Sequence, residues 1–511
     1  MRPVRVLRPL AMAGVVATLA ACGSTVQMGP TAVGAANGQQ GLSAPAGGAP
    51  LPGSSTAPNG VVPGGSAPGG AAPGGGPGTT TTGTTSSGTT SGSSVTGAKR
   101  TTSSSGVVAN APGITADTVY LGVKYSSQAG SADQAIGASG AAPSYDFRNV
   151  MNAVIDYANA HGGFAGRKLK ALYYDYNLSD PQDTQDQSAC AYWTQDNKTF
   201  AVPAEGSDIM RACAEKAGAV SFGAGGAVAS TYQKSPHYID VNSVRLDRLG
   251  PMTVNGLFHA GYFAGKLGFV TWDDPNYRFA YSNGYVPTLA SHGIKVTDAA
   301  FVKVPQTLDA VGEMSATMSS IVTKFRTDGI DHVIIQDGHA GVWAGTGLTL
   351  EFMDQAESQK YYPRYGQNSD NSPGWSGLPS DQQDKAIAVL DTDYEPKDDA
   401  GWHPNQARQL CWKIEADAGY PVSSSNVNDE GLAAQACDQV FFLQDVINRL
   451  KVITSDTFMQ EVDRLGRSFP SALVYGTQFG PGLHDGSAAI RQAEYSSGCQ
   501  CLTYSGAPYY P

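Results

Sequence analysis

The sequence predicts an α/β protein of two doubly wound open-sheet lobes, set behind a long disordered N-terminal linker. Three observations lead there. Apolar β-rich runs alternate with helical patterns in two successive cycles. No residue between Gly23 and Ala98 is charged and the first aromatic is Tyr120, so the 6 Trp, 24 Tyr and 16 Phe all follow a stretch that cannot form a packed core. From Gly113 to Pro511 there remain about 400 residues, more than one hydrophobic core ordinarily supports.

The leader comes first. Arg2, Arg5 and Arg8 form a basic head, Leu10 to Ala21 is apolar, and Leu19-Ala20-Ala21-Cys22 closes the stretch with small residues. This is the pattern of a secretory signal, and it is too short to span a bilayer as a helix. Its ending resembles the bacterial lipobox, which implies a lipoprotein signal peptide over 1–21, lipidation of Cys22, and tethering to the extracytoplasmic face of the cell membrane. Ordinary signal cleavage beside a chance cysteine is the alternative. Residues 22–112 are expected to be the lipidated cysteine and a disordered Gly/Pro/Ser/Thr linker with a root-mean-square span of roughly 50 Å. Its Ser/Thr-rich part is open to O-glycosylation.

Of 33 basic residues, Arg2, Arg5, Arg8, Lys99 and Arg100 precede the body, which leaves 28 against 44 acidic ones, a net charge of −16. A body so acidic is not built for nucleic acid. Besides Cys22 there are Cys190, Cys213, Cys411, Cys437, Cys499 and Cys501. An even set in an exported chain suggests disulfides, and sequence neighbours are the economical pairs among about fifteen arrangements. No C-x-x-C spacing points to a metal.

The body opens on a strand at Thr118 to Tyr125. Phe147, Val150, Met151, Val154, Ile155 and Ala158 recur at helical spacing until His161-Gly162-Gly163 ends the run, and Lys168 to Tyr176 reads as a second strand. Strands at 200–202, 220–222 and 238–241 and a helix at 208–217 complete the first cycle. The second has strands at 267–272, 295–304, 332–336, 364–366 and 386–390, with helices near 281–292 and 311–326. Helices near 405–418 and 433–451 precede an irregular tail. Ligands of such sheets bind outside the carboxyl ends of the strands.

Several stretches, in order, resemble the type I periplasmic solute-binding proteins, the leucine/isoleucine/valine-binding-like family. Gly113 to Val123 is similar to the family's opening strand, Tyr157 to Arg167 to its "Asn-x-x-Gly-Gly-x-x-Gly-Arg" helix end, and Tyr173 to Pro181 to the acidic strand end that follows. Cys190 and Cys213 flank the third strand as the family's first-lobe disulfide does. Ala436 to Val440 sits where the family has Ala-Tyr-Asp-Ala, with the tyrosine replaced. The resemblance implies lobe I at 113–245 and 396–470, and lobe II at 246–395 with a return over 471–511. Crossings are expected near 242–250, 392–399 and 479–483. It further implies a small-molecule ligand in the cleft, a partner ABC-type permease with its ATPase, a monomer, and no cofactor.

Cleft residues follow from strand ends. Tyr125, Ser126 and Ser127 follow the first strand, and Ser207 opens a helix whose N-terminus favours an anion such as a ligand carboxylate; capping that helix is its alternative role. Gly225 lies in a glycine run that lets backbone approach a ligand. From the second lobe come Trp272, Tyr277, Asp337 and His339, for which the resemblance implies an aromatic cover in Tyr277 or Trp272 and an acid for a ligand ammonium in Asp337; Asn368, Ser369 and Asp370 follow a further strand. The acid lies earlier in its loop than the family places it, which weakens the case for an amino acid. No metalloprotease or nucleophile-elbow motif is present, and Gly261 to Lys266 falls one residue short of a phosphate loop. The function expected is an ABC importer's substrate-binding protein, not an enzyme, that holds a small polar solute (amino acid, amide or related compound). A ligand-sensing lipoprotein signalling in trans and an exported hydrolase are the alternatives.

Overall fold

The computed structural model describes residues 100–128, 146–307, 310–338, 347–374, 377–393, 404–422 and 427–511. The signal segment, Cys22, most of the linker and His339 lie outside them. Fifteen strands are numbered in chain order: β1 Thr101–Thr102, β2 Val108–Ala109, β3 Thr118–Tyr125, β4 Lys168–Asp175, β5 Ala201–Pro203, β6 Val220–Gly223, β7 Tyr238–Asp240, β8 Leu267–Trp272, β9 Val296–Val302, β10 His332–Gln336, β11 Arg364–Asn368, β12 Ile387–Leu390, β13 Val452–Ile453, β14 Ile490–Ser496 and β15 Cys501–Tyr509.

A five-stranded sheet runs β4-β3-β5-β6-β7, all parallel. Its strands β5, β6 and β7 are short and buried throughout, as parallel strands covered on both faces are, while the edge strand β4 keeps polar residues exposed. Helices Phe147–Ala160, Gln406–Asp417, Val427–Arg449 and Ser455–Val462 cover one face through Met151, Val154, Cys437, Leu443 and Phe458. Helices Gln182–Cys190, Asp208–Ala217 and Ala229–Lys234 cover the other through Ala189, Met210 and Tyr232. A seven-stranded sheet runs β15-β14-β12-β11-β10-β8-β9. Helices Val311–Thr327 and Gly347–Ser358 cover one face, with Met318, Phe325 and Phe352 inward. Helix Leu246–His259 covers the opposite face with Leu249, Val254 and Leu257. Helices on both faces of each sheet give the doubly wound architecture the sequence predicts.

The chain passes between the lobes after β7, after β12 and again before β14, and these passages are knitted together. Gly486 N donates to Asp240 O at 2.7 Å, Asp240 N to His484 O at 2.9 Å, Asp393 N to Leu473 O at 2.9 Å and Tyr475 N to Asp391 O at 3.1 Å. Arg248 pairs with the fully buried Asp485 beside the first passage.

Two expectations are corrected. Residues 100–112, assigned to the linker, belong to the body from at least Arg100 onward: β2 pairs with β1 and with β13, Ala109 and Ala111 are buried, and Arg167 Nη2 donates to Val107 O at 2.9 Å. Their order comes from a partner about 340 residues away, which composition does not reveal. The irregular tail is a hairpin, β14 and β15, laid antiparallel on β12. Its inward residues Ala493 and Tyr495 alternate with polar ones, the mark of a strand with one solvated face.

The disulfides join sequence neighbours: Cys190 to Cys213 at a Cα separation of 6.1 Å, Cys411 to Cys437 at 6.0 Å, and Cys499 to Cys501 across the hairpin turn. Cys411, Glu415 and Cys437 cluster, but both sulfurs are bonded to each other, so no thiolate pair is there for a metal. No helix among the described residues is long and apolar enough to cross a membrane.

Candidate functional site

The first wall is made by the loops after β3, β5 and β6. Ser207 is 7 % exposed and its Oγ accepts from Met210 N at 3.1 Å, capping helix Asp208–Ala217. The cap uses an oxygen lone pair, which leaves the hydroxyl proton to donate at the same helix N-terminus. Arg211 folds back over this loop, donating from Nη1 to Ala204 O at 3.1 Å and from Nη2 to Asp208 Oδ1 at 2.6 Å. The glycine run is a tight floor. A Cβ at Gly223 would lie 1.8 Å from Tyr238 Oη and 2.0 Å from Asp240 Oδ1, and Gly225, at φ +106, needs a conformation that favours glycine. Gly225 N donates to Asp240 Oδ1 at 3.2 Å, so that amide serves a protein carboxylate.

Tyr125, Ser126 and Ser127 follow β3 as expected, but the Tyr125 ring is engaged within its own lobe. Arg148 lies over it at 4.3 Å and Tyr173 meets it edge-on at 6.2 Å. Ser126 Oγ accepts from Gln128 N at 3.1 Å and Ser127 N donates to Asp175 Oδ1 at 2.8 Å.

The second wall follows β8, β10, β11 and β12. Asp274 caps helix Pro275–Ala280 through Asn276 N at 2.8 Å, and Asn276 Nδ2 reaches across to Gly226 O at 3.1 Å. The strand-end loops of the two sheets meet at that bond. Tyr277 is buried against Val228, Leu246 and Trp272. Burial, then Asp370, Asp337 and Asp274, hold its phenol well above the usual range. A Cβ at Gly338 would lie 2.8 Å from Tyr277 Oη and 3.1 Å from Asp370 Oδ2, so these two groups converge over one glycine.

Asp337 is placed differently from the expectation. Its Oδ1 accepts from Gly338 N at 3.0 Å, and its Oδ2 from Thr349 N at 2.7 Å and Thr349 Oγ1 at 2.8 Å. Both oxygens are thus engaged, Oδ2 by the start of helix Gly347–Ser358 and Oδ1 by the loop amide of Gly338, and burial pushes the carboxyl up to about 7. The acid with capacity to spare is Asp370. Its Oδ2 accepts from Gln336 Nε2 at 3.1 Å. Gln336 itself is fixed by Asn368 Nδ2 at 3.1 Å and by the Tyr285 hydroxyl. Burial, followed by the charges of Asp391 and Asp337, pushes Asp370 up to about 8. Asp240, held by Tyr232 Oη at 2.6 Å and Tyr238 Oη at 2.9 Å, and Asp391 are likewise raised, first by burial.

Among the described residues none of Asp240, Asp337, Asp370 and Asp391 forms an ion pair. The sequence carries a signal for all of them, since each stands at or just beyond the end of a strand: Tyr-Ile-Asp240, Ile-Ile-Gln-Asp337, Asn-Ser-Asp370 and Val-Leu-Asp391. Their convergence is a property of the fold. Acids that burial holds near one another without ion pairs favour protonation or a cationic guest.

No family model matches the chain, and no curated protein matches it. Solved structures do. One is a fatty acid ABC transporter substrate-binding protein from Thermomonospora curvata, at 17 % identity and TM-score 0.55, over 80 % of this chain and 96 % of that one. A second is a branched chain amino acid ABC transporter protein from Thermus thermophilus with bound valine, at 14 % and 0.55, over 77 % and 96 %. A third is an ABC transporter solute-binding protein from Rhodopseudomonas palustris in complex with p-hydroxybenzoic acid, at 13 % and 0.55, over 77 % and 97 %. The chain has the two-lobed fold of the ABC transporter substrate-binding proteins. Its fold is the type I architecture that the sequence resembles, seen also in a possible leucine/isoleucine/valine-binding protein from Rhodopirellula baltica at 15 % identity and TM-score 0.53.

Proposed function

We propose that this protein is the substrate-binding component of an ABC-type importer. It is anchored through a lipid on Cys22 to the extracytoplasmic face of the cell membrane and acts as a monomer that delivers its solute to a permease and ATPase without chemistry. The observation that carries the reading is the meeting of strand-end loops from the two sheets, Gly226 with Asn276, beside Asp370, which forms no ion pair among the described residues. A ligand that touches both walls favours the closed arrangement, because only there does it make both sets of contacts.

The solute is a small polar molecule, an amino acid, amide or related compound, with a cationic group. That group meets Asp370 in place of the Asp337 expected from sequence. An anionic or carbonyl end meets the Ser207 hydroxyl and the helix N-terminus behind it, with Tyr277 between. Among the described residues, lobe I comprises 100 to about 245 and 404 to about 473, and lobe II comprises about 246 to 393 and about 474 to 511.

A thermal-shift screen of L-amino acids, their amides and hydroxybenzoates tests this. A solute at a hundred times its Kd adds about 2.7 kcal/mol of stability. Asp370→Asn and Ser207→Ala should each abolish most of that gain. A screen in which no solute moves the midpoint, or a hit unaffected by both substitutions, refutes the reading.

A further inference from the structure

The C-terminal hairpin of the second lobe ends on the first. β15 pairs with β14 from Ser496 opposite Cys501 to Ile490 opposite Tyr509. Tyr510 therefore leaves the sheet where the third passage enters it. Its ring lies under the Arg467 guanidinium, 3.6 Å from centroid to Cζ. Arg467 belongs to the first lobe, between the core residues Leu465 and Phe469. The same guanidinium donates from Nε and Nη2 to Gln478 Oε1, 3.1 Å each, and Gln478 N donates to Gly486 O at 2.8 Å within the third passage. The Tyr510 phenol also covers Gly476. A Cβ there would lie 2.5 Å from Oη and 3.1 Å from Cζ. The ring is thus held between an arginine of one lobe and the backbone that joins the two.

The lever that carries this ring is itself braced. The Cys499 to Cys501 bond closes the hairpin turn, and Asp384 Oδ1 accepts from Ser497 N at 3.1 Å and Ser497 Oγ at 2.8 Å. A tyrosine just beyond the last strand that is seated on two partners is a tie.

We propose that Tyr510 is a clasp that fastens the edge strand of lobe II to lobe I and resists bending of the three crossings. The inference rests on the reading that the lobes open and close about those crossings. A bend that parts Tyr510 from Arg467 forfeits the cation–π contact, so removing the ring should raise the population of bent states about 2- to 5-fold.

Hydrogen exchange on the full-length, solute-free protein tests it at the amides of Asp393, Tyr475 and Gly486, which donate between the crossings. In Tyr510→Ala and Arg467→Met these amides should exchange about 2- to 5-fold faster than in wild type, while Ile334 in the sheet core is unchanged. Tyr510→Phe, which keeps the ring, should behave as wild type. Gly476→Ala, whose methyl displaces the phenol, should behave as Tyr510→Ala. Wild-type exchange at the crossings in Tyr510→Ala or Arg467→Met overturns the clasp, and so does acceleration spread evenly through both lobes. Failure of the solute-binding reading shows separately, as a wild-type protein whose crossing amides no compound of the screen protects.

Discussion

Asp370→Asn separates what the site does for binding from what it costs the fold. In the unfolded chain this carboxyl ionises near 3.8; in the folded protein burial, Asp391 and Asp337 raise it to about 8. Between those values the folded state holds a proton that the unfolded state has released, so stability is greatest below the unfolded value and declines as pH rises to about 8. At roughly 1.4 kcal/mol per unit the full shift sets a ceiling of about 6 kcal/mol, and residual solvent access reduces the expected effect to about 1–3 kcal/mol. Asparagine keeps an oxygen for Gln336 Nε2 and carries no charge. Solute-free Asp370→Asn should therefore melt roughly 2–5 °C higher than wild type at pH 8, match it at pH 4, and lose most of its response to solutes. Calorimetry of both proteins from pH 4 to 9, with and without the screened solutes, measures all three. A variant that is destabilised at pH 8, or whose melting temperature keeps the wild-type pH slope, refutes the assignment of Asp370 as a partly buried acid held protonated by its surroundings.

Three further outcomes follow from the geometry. Gly223→Ala places a methyl within 2.0 Å of Tyr238 Oη and Asp240 Oδ1, so chemical denaturation should show a loss of about 2–4 kcal/mol. His237 binds Glu215 Oε2 at 2.9 Å and Asp456 Oδ1 at 3.0 Å; burial lowers its pKa, but the two carboxylates outweigh burial and raise it above 6.5. That stabilisation is fully present below pH 6.5 and is lost as pH rises through the raised value, so His237→Gln should cost about 0.5–1.5 kcal/mol at pH 5.5 and less at pH 9 in urea titrations. Replacing both Cys411 and Cys437 by Ala should lower stability by about 3 kcal/mol, read from the denaturant midpoint, with helix content retained.

Local features were legible in the sequence because local chemistry causes them. Thr118 to Tyr125 is β-rich, and Ser207 before an apolar helical period, with Gly218 after it, encodes helix Asp208–Ala217 and both its caps. The acidic body, the paired cysteines and the two α/β cycles depend only on composition and spacing. Long-range pairing was not legible. Nothing in residues 100–112 announces that Val452–Ile453 will hold them in a strand, nor does the polar composition after 480 announce a hairpin at a sheet edge.

The site divides along the same line. Strand-end positions were readable, so Ser207, Tyr277 and Asp337 stand in the loops after β5, β8 and β10. Which acid remains available was decided by tertiary structure. Thr349 and Gly338 consume Asp337, while Asp370 is left with one amide donor among other carboxylates. A hydrogen-bond period or a cap is fixed by residues three or four positions apart, whereas a carboxyl group's proton depends on charges and solvent brought near it by strands far away in the chain, and only folding brings them together.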